Sequence, residues 1–378
     1  MEERPVKSET VGLYVHFPFC RTKCPYCHFA SVPFEAGLAS LWWEGLAREA
    51  DLRADPTLVV DTVYIGGGTP SLLGPAEVSR LLTLLAGRFR LVPDEVTLEA
   101  NPGRSDLLSI AGWREAGVTR LSVGVQSFDD GDLTLLGRGY PAAEALEFCA
   151  AARASSYESL GLDLLVGVPR QSRAALEKTV ASVRDIGPDH VSLYILENVD
   201  GLPFEAVTRD FPVGDDEAAA HYELVAEALA KAGLRRYEIS NFARPGREGR
   251  HNLKYWRFEP FLGLGPSAAS HLGSRRSTNV PGIRDWHGCL ARGEEPLAEV
   301  VELPPERAWR EALVFGLRLT EGVDLLAFRR RFGVDILEAC GREVGEFAAA
   351  GWLEVGRGRL RIPEEKLLVS NRVLAAFV

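Results

Sequence analysis

The chain has 378 residues, 46% of them hydrophobic and 25% charged, with a mean hydropathy near zero. That composition excludes a disordered or membrane-embedded class, and the length suffices for one large domain and a smaller companion. A net charge of −10 argues against a surface built to wrap nucleic acid, and no run approaches the roughly 18 unbroken apolar residues of a membrane helix. The polar start "MEERPVKSET" lacks the apolar core of a signal peptide, so a cytoplasmic protein is expected.

From residue 12 to about 233, short β-rich runs alternate with helical patterns. The predicted strands are "GLYVHF", "TVYIGG", "EVTLEA", "RLSVGV", "GLDLLVG" and "HVSLYIL". Between and after them lie helix-like segments at 38–54, 74–89, 105–117, 142–155, 172–186 and 215–232, with apolar residues recurring at i, i+3 and i+4. Pro75, Ser105 and Ser172 mark helix starts; Gly117, Gly187 and Gly233 mark ends. Six βα units predict an α/β fold, a partial (β/α)6 barrel whose strand C-termini converge on one mouth. The core is expected to span 1–233, an extension closing the mouth 234–298, and a C-terminal helical, winged-helix-like domain 299–378, with "GWLEVGRGRLRI" as a small hairpin. Within the extension, Arg244, Arg247, Arg250, Lys254 and Arg257 interleave with Tyr255 and Trp256. That stretch reads either as a solvated loop or as a site for an anionic small molecule.

The chemistry concentrates just past the first strand. In "FCRTKCPYCHF", Cys20, Cys24 and Cys27 fall within eight positions, whereas Cys149, Cys289 and Cys340 are scattered and read as inert. Structural zinc closes four ligands, and His28, adjacent to Cys27, is badly placed to complete the same tetrahedron. An iron-sulfur cube on three cysteines, with one iron open to a non-protein ligand, suits the spacing better; zinc and buried thiols remain the alternatives. Further strand ends carry Gly66, Gly67, Gly68 and Thr69 after the second, Glu99 after the third, Gln126 after the fourth and Asp163 in the fifth. Each polar side chain interrupts a strand expected to be otherwise apolar, and a buried carboxylate without partners is costly, so each position either has local hydrogen-bond partners or serves a ligand, and the set together favours a ligand.

"CRTKCPYC" resembles the signature of the radical S-adenosylmethionine (SAM) superfamily. Together with "YIGGGTPSLL", "LEANPG", "LSVGVQSFDDGDLTLLGRGY", "LDLLVGVPRQS", "YEISNFARPGREGRHNLKYW" and "LGLGPSAASHLG", it resembles the oxygen-independent coproporphyrinogen III oxidases and, more closely, their HemW branch of haem chaperones. The resemblance implies a 4Fe-4S cluster on Cys20, Cys24 and Cys27, with SAM chelating the open iron and cleaved by an electron from the reduced cluster. It further implies SAM contacts at Tyr14, Gly67, Gly68, Thr69, Glu99, Gln126, Arg138, Asp163 and Ala269. The His-Asn-x-x-Tyr motif, here His251, Asn252 and Tyr255, is associated in that branch with haem binding, and imidazole is a common haem ligand. The implied partners are haem, acceptor haemoproteins that include membrane-bound respiratory enzymes, an electron donor and a second copy of the chain. No residue receives a catalytic role.

Two departures from the oxidases set decarboxylation in doubt: Phe29 stands where they carry a further cysteine, and only 19 residues precede Cys20. The rival readings are such an oxidase and a zinc-stabilised binding module.

Overall fold

The computed structural model describes residues 10–378, except for the side chains of Arg104 and Ser105. The six predicted units form as β1 Thr10–Phe17, α1 Ala36–Leu52, β2 Asp55–Gly67, α2 Pro75–Ala86, β3 Phe89–Ala100, α3 Ile110–Glu115, β4 Arg120–Gln126, α4 Ala142–Ala154, β5 Ser159–Val166, α5 Arg173–Ile186, β6 His190–Ile195 and α6 Asp215–Lys231. Start and stop signals act locally. Pro75 opens α2; Ser172 caps α5 by accepting from the Ala175 amide at 3.1 Å; Gly187 ends α5 in the left-handed region, φ 62°.

The helix expected at 105–117 is interrupted. A short turn of helix, Arg104–Leu107, precedes α3, and Ser105 lies inside that turn rather than at its cap, which is Gly103. The break leaves Leu108 exposed while Ile110 and Trp113 are buried, so packing against the sheet sets the restart.

β1 to β6 are parallel and adjacent in chain order. Their register levels the inward side chains: Tyr14 pairs with Tyr64, Glu99 with Ser122, and Asp163 with Ser192. Every strand is two-faced. Leu13, Val63, Leu98, Leu121, Leu162 and Leu193 point outward into the core beneath the helices, against Trp42, Leu46, Leu81, Phe148, Val183 and Val225. Thr62, Glu95, Thr97, Arg120, Ser122, His190 and Ser192 line a polar lumen. This corrects the expectation of apolar strands interrupted by single polar residues: polar residues recur with period two along each strand because one face meets the lumen.

The barrel stays open, since β1 and β6 do not pair. β7 Asn241–Ala243 runs antiparallel on β6, and α7 Arg250–Trp256 follows it. On the other edge β8 Phe261–Leu264 pairs parallel to β1, and β9 Ala269–Leu272, β10 Arg275–Asn279 and β11 Leu297–Glu302 continue antiparallel. The C-terminal region has its own core, including Trp309, Leu313, Phe328, Leu360 and Phe377. Its helices pack with a three-stranded antiparallel sheet that contains the expected hairpin, Glu354–Gly356 with Arg359–Arg361. Among the described residues no helix is long and apolar enough to cross a membrane.

Candidate functional site

The cysteine segment leaves β1 as a short ribbon, Phe19–Cys20, which pairs parallel with Val32–Pro33 and so ties the loop at its base. Amide bonds from Val32 to Pro18 O (2.8 Å) and from Phe34 to Cys20 O (2.9 Å) close that base. Inside the loop, the Cys27 amide donates to Cys24 O at 3.1 Å, and Lys23 Nζ donates to Phe29 O at 2.9 Å. His16 fixes the far end through Nε2 to Ala30 O, 2.8 Å, while its Nδ1 lies 3.0 Å from the Tyr14 hydroxyl.

The three thiols are free and line one cavity of about 450 Å³ at the barrel mouth. Burial, reinforced by the neighbouring thiols, pushes the Cys27 thiol up from its ordinary range. Among the described residues no three His, Cys, Asp or Glu side chains converge on a single ion. Three cysteines on one cavity match a cube with one iron left to another ligand, whereas a structural zinc needs a fourth protein ligand.

The glycine run after β2 has a local cause. A Cβ at Gly68 would lie 2.4 Å from Phe19 O, and one at Gly67, φ 115°, would lie 2.5 Å from the His16 ring. Gly68 therefore lets the loop pass against the cysteine ribbon, and Gly67 lets it pass against His16. Two amide bonds join them: Gly68 to Phe17 O and Thr69 to Phe19 O, both 2.7 Å.

The polar lumen rises into the same cavity. Glu99 accepts from the Tyr64 hydroxyl at 2.7 Å and from the Gly67 amide at 3.0 Å, and burial pushes its carboxyl up to about 7. Asp163, also shifted up by burial, accepts from Ser122 Oγ at 3.3 Å. Gln126 ends β4 with φ 71°, a conformation unusual for a side chain with a Cβ, and lines the cavity. Arg138 spends its donors on Asn101 Oδ1 (2.6 Å), Gly124 O (2.7 Å), the Tyr140 hydroxyl (2.9 Å), the Tyr26 hydroxyl (3.3 Å) and Cys24 Sγ (3.5 Å). Burial opposes its charge, but the surrounding phenols and the Cys24 thiol outweigh that and hold the guanidinium protonated. A permanent cation therefore stands against one thiol of the cysteine wall.

A second cavity, about 380 Å³, shares Phe29, Gly67 and Glu99 with the first and adds Tyr14, Ala269 and Tyr255. The expected SAM-contact residues thus lie around two adjoining spaces. The His-Asn-x-x-Tyr residues divide: Asn252 lines the larger cavity and Tyr255 the smaller, while His251 lines neither. Its ring is fully buried, with Nδ1 2.9 Å from Thr62 Oγ1 and Nε2 2.9 Å from the Tyr255 hydroxyl, and burial holds it neutral, its pKa lowered to about 3. An axial haem ligand needs a free ring nitrogen facing the cavity, and in this arrangement His251 offers none; the physical reason is that α7 enters the lumen instead of lying over it.

Sequence reading missed Tyr64, Asn101, Arg120, Ser122, Tyr140 and Ser192, which hold or accompany the selected residues. The period-two recurrence of polar residues in "TVYIGG", "EVTLEA" and "RLSVGVQ" was the available signal.

A partial parallel barrel with a three-cysteine loop after its first strand and a glycine run after its second defines the radical SAM class. A sequence model of the Radical SAM superfamily matches residues 14–183, and one of the HemN C-terminal domain matches 303–369. A protein named heme chaperone HemW from Mycobacterium tuberculosis is 37% identical over 332 residues, 85% of each chain. Its namesake from Bacillus subtilis is 29% identical, over 97% of this chain and 98% of that one. The structure of coproporphyrinogen III oxidase (HemN) from Escherichia coli superposes with TM-score 0.86 over 98% of this chain and 90% of that one, at 21% identity, a likeness of fold. The chain belongs to the HemW family.

Proposed function

We propose that this chain is a cytoplasmic haem chaperone built on a radical SAM core. In this reading Cys20, Cys24 and Cys27 hold a 4Fe-4S cluster, SAM occupies the adjoining space, and haem is cargo handed to acceptor haemoproteins, membrane-bound respiratory enzymes among them. The observation that supports it most directly is that Cys20, Cys24 and Cys27 line one cavity together with Gly67, Glu99, Gln126 and Asp163, in a member of the HemW family. A cluster with one iron left to SAM supplies one-electron chemistry when bound.

The chain's own residues bind and orient. Glu99, placed beside the Gly67 amide, accepts from a ligand amine. Asp163, held by Ser122, and Gln126, at the end of β4, offer further polar groups to the same cavity. Arg138, already committed to Asn101 and Gly124, fixes the wall against Cys24 and favours anionic groups beside it.

Phe29 separates this reading from the decarboxylase. It is 59% exposed and borders both cavities, so at that position the chain presents an apolar ring. With Phe34 (49% exposed) it gives the cluster edge an apolar rim suited to a docking electron donor or acceptor. A second copy of the chain is a further candidate partner.

The test is anaerobic reconstitution followed by two separate titrations. Haem is taken up, and coproporphyrinogen with SAM and reductant gives no protoporphyrinogen. Product formation without haem uptake establishes the oxidase instead, and one zinc per chain with no iron or sulfide establishes the binding module.

A further inference from the structure

The helix α7, which carries the His-Asn-x-x-Tyr motif, is bolted into the barrel from below. Its first amides, those of Arg250 and His251, donate to Glu95 Oε2 and Oε1, both at 3.0 Å, and Glu95 is itself a lumen residue of β3. Lys254, 3% exposed at its side chain, pairs with Asp61 at 2.9 Å. The imidazole of His251 fills the space over β1: a Cβ on Gly12 would lie 3.0 Å from His251 Cε1 and 2.9 Å from Lys254 Cδ, so β1 carries glycine where the helix passes. On its other side the ring lies against Tyr64, centroids 5.3 Å apart. Both ring nitrogens are committed, one to β2 through Thr62 and one to the Tyr255 hydroxyl a turn further along the helix. Tyr255 in turn packs edge-on against Phe261, 4.7 Å between centroids, and faces the smaller cavity beside Tyr14 and Ala269.

We propose that His251 is a positioning residue and not a haem ligand: bridging Thr62 and Tyr255, it locks α7 in the lumen and aims the Tyr255 ring into the cavity. The inference rests on the haem-chaperone reading for its ligand but not for its geometry. Swinging the imidazole out to an iron would take a partner from the buried Thr62 hydroxyl and from the half-buried Tyr255 hydroxyl and vacate a packed space, costs that an axial bond would have to exceed before any haem was held. Tyr255 and Asn252, which reach the cavities from the same helix, are the motif residues placed to touch a ligand.

The experiment compares His251→Gln and His251→Ala in the full-length chain. Gln retains a donor and an acceptor for Tyr255 and Thr62 but is a poor haem ligand. Amide hydrogen exchange of residues 250–256 in the apo protein needs no haem. Protection there is retained in His251→Gln and falls at least about tenfold in His251→Ala, the loss of roughly one buried hydrogen bond. In the haem titration, His251→Gln keeps the absorption spectrum of bound haem and changes its affinity less than about threefold, while His251→Ala weakens binding without altering that spectrum. Loss of the axial-ligand signature in His251→Gln, restored by added imidazole, overturns the proposal, as does unchanged exchange in His251→Ala. Absence of haem uptake by the unsubstituted chain defeats the chaperone reading and leaves the exchange result to decide the role of His251.

Discussion

Substituting Gly68 by alanine tests whether the glycine run and the cysteine ribbon are one mechanical unit. The new Cβ would sit 2.4 Å from Phe19 O, 2.8 Å from its carbonyl carbon and 2.9 Å from its nitrogen, all backbone atoms that no rotamer change can move aside. Relief requires the ribbon to shift, and overpacking of this kind costs about 1–3 kcal/mol. The shift also strains the Gly68 and Thr69 amide bonds to Phe17 O and Phe19 O, each 2.7 Å long. At about 1 kcal/mol for each bond, the total reaches roughly 3–5 kcal/mol, or about 6–20 °C in Tm for a domain of this size. Because Cys20 is the next residue after Phe19, the same displacement misplaces one thiol, so iron and sulfide per chain after reconstitution fall well below those of the parent. Thermal unfolding of the apo chain and iron analysis of the reconstituted one read the two effects separately. Gly345→Ala is the control: that glycine lies within the helix Gly341–Ala349 with nothing within 4 Å of the added methyl, and the change stabilises by about 0.5–1 kcal/mol. An unchanged Tm with full iron content in Gly68→Ala would refute the coupling.

Other outcomes follow from the same contacts. Glu99 has its folded pKa raised to about 7 by burial, so its contribution is most favourable below the unfolded carboxyl range near 4.5 and is lost as pH rises through 7. Glu99→Gln therefore stabilises the apo chain at pH 8 by on the order of 2 kcal/mol, discounted because the group borders a cavity, and has no such effect at pH 4; denaturant titrations at the two pH values measure it. Glu49, fully buried on α1, accepts from the Gly265 amide (2.8 Å), Asn279 Nδ2 (2.7 Å) and Trp286 Nε1 (3.1 Å) and pairs with Arg53 at 3.2 Å. Glu49→Ala leaves the Gly265 amide and the Trp286 indole without their acceptor and Arg53 without its carboxylate, though Arg53 still donates to Asn279 Oδ1 (3.0 Å) and Asn279 Nδ2 to Gly265 O (2.7 Å); it destabilises by about 3–5 kcal/mol and loosens the loop leading to Ala269, seen as a lower Tm and faster amide exchange at 265–269. Cys24→Ala and Cys27→Ala, at half-buried positions, abolish cluster assembly but shift the apo Tm by less than about 2 °C, since little packing is lost.

The six βα units were legible because apolar runs at their strand ends alternate with amphipathic helices that carry local caps such as Ser172 and Gly187, although β2 and β3 begin at Asp55 and Phe89, well before the runs that marked them. The cysteine spacing was equally direct. What the linear pattern hid depends on partners far apart in the chain. β8 adds to β1 through Gly12 and Phe261, and Glu95 caps α7 across the lumen, contacts that no window of residues contains. His251 illustrates the limit most clearly: the motif identified the residue, but only the positions of Thr62 and Tyr255 reveal that both its nitrogens are spent. The resemblance implies SAM contacts at Gly67 and Gly68, but it does not reveal that Gly68 also makes room for Phe19, a neighbour 49 positions away. The alternating polar face of the strands was visible in the letters and becomes intelligible once the lumen is seen to be a polar chamber that opens into the cavity.

The proposed chemistry requires a cluster held by Cys20, Cys24 and Cys27 with one iron that the chain leaves free. Mössbauer spectroscopy of 57Fe-reconstituted, oxygen-free protein with and without SAM measures this most directly. One iron of four is expected to change its isomer shift when SAM is added, and the three others to remain as they were. A spectrum that does not respond to SAM, or one showing no cube at all, would contradict the account.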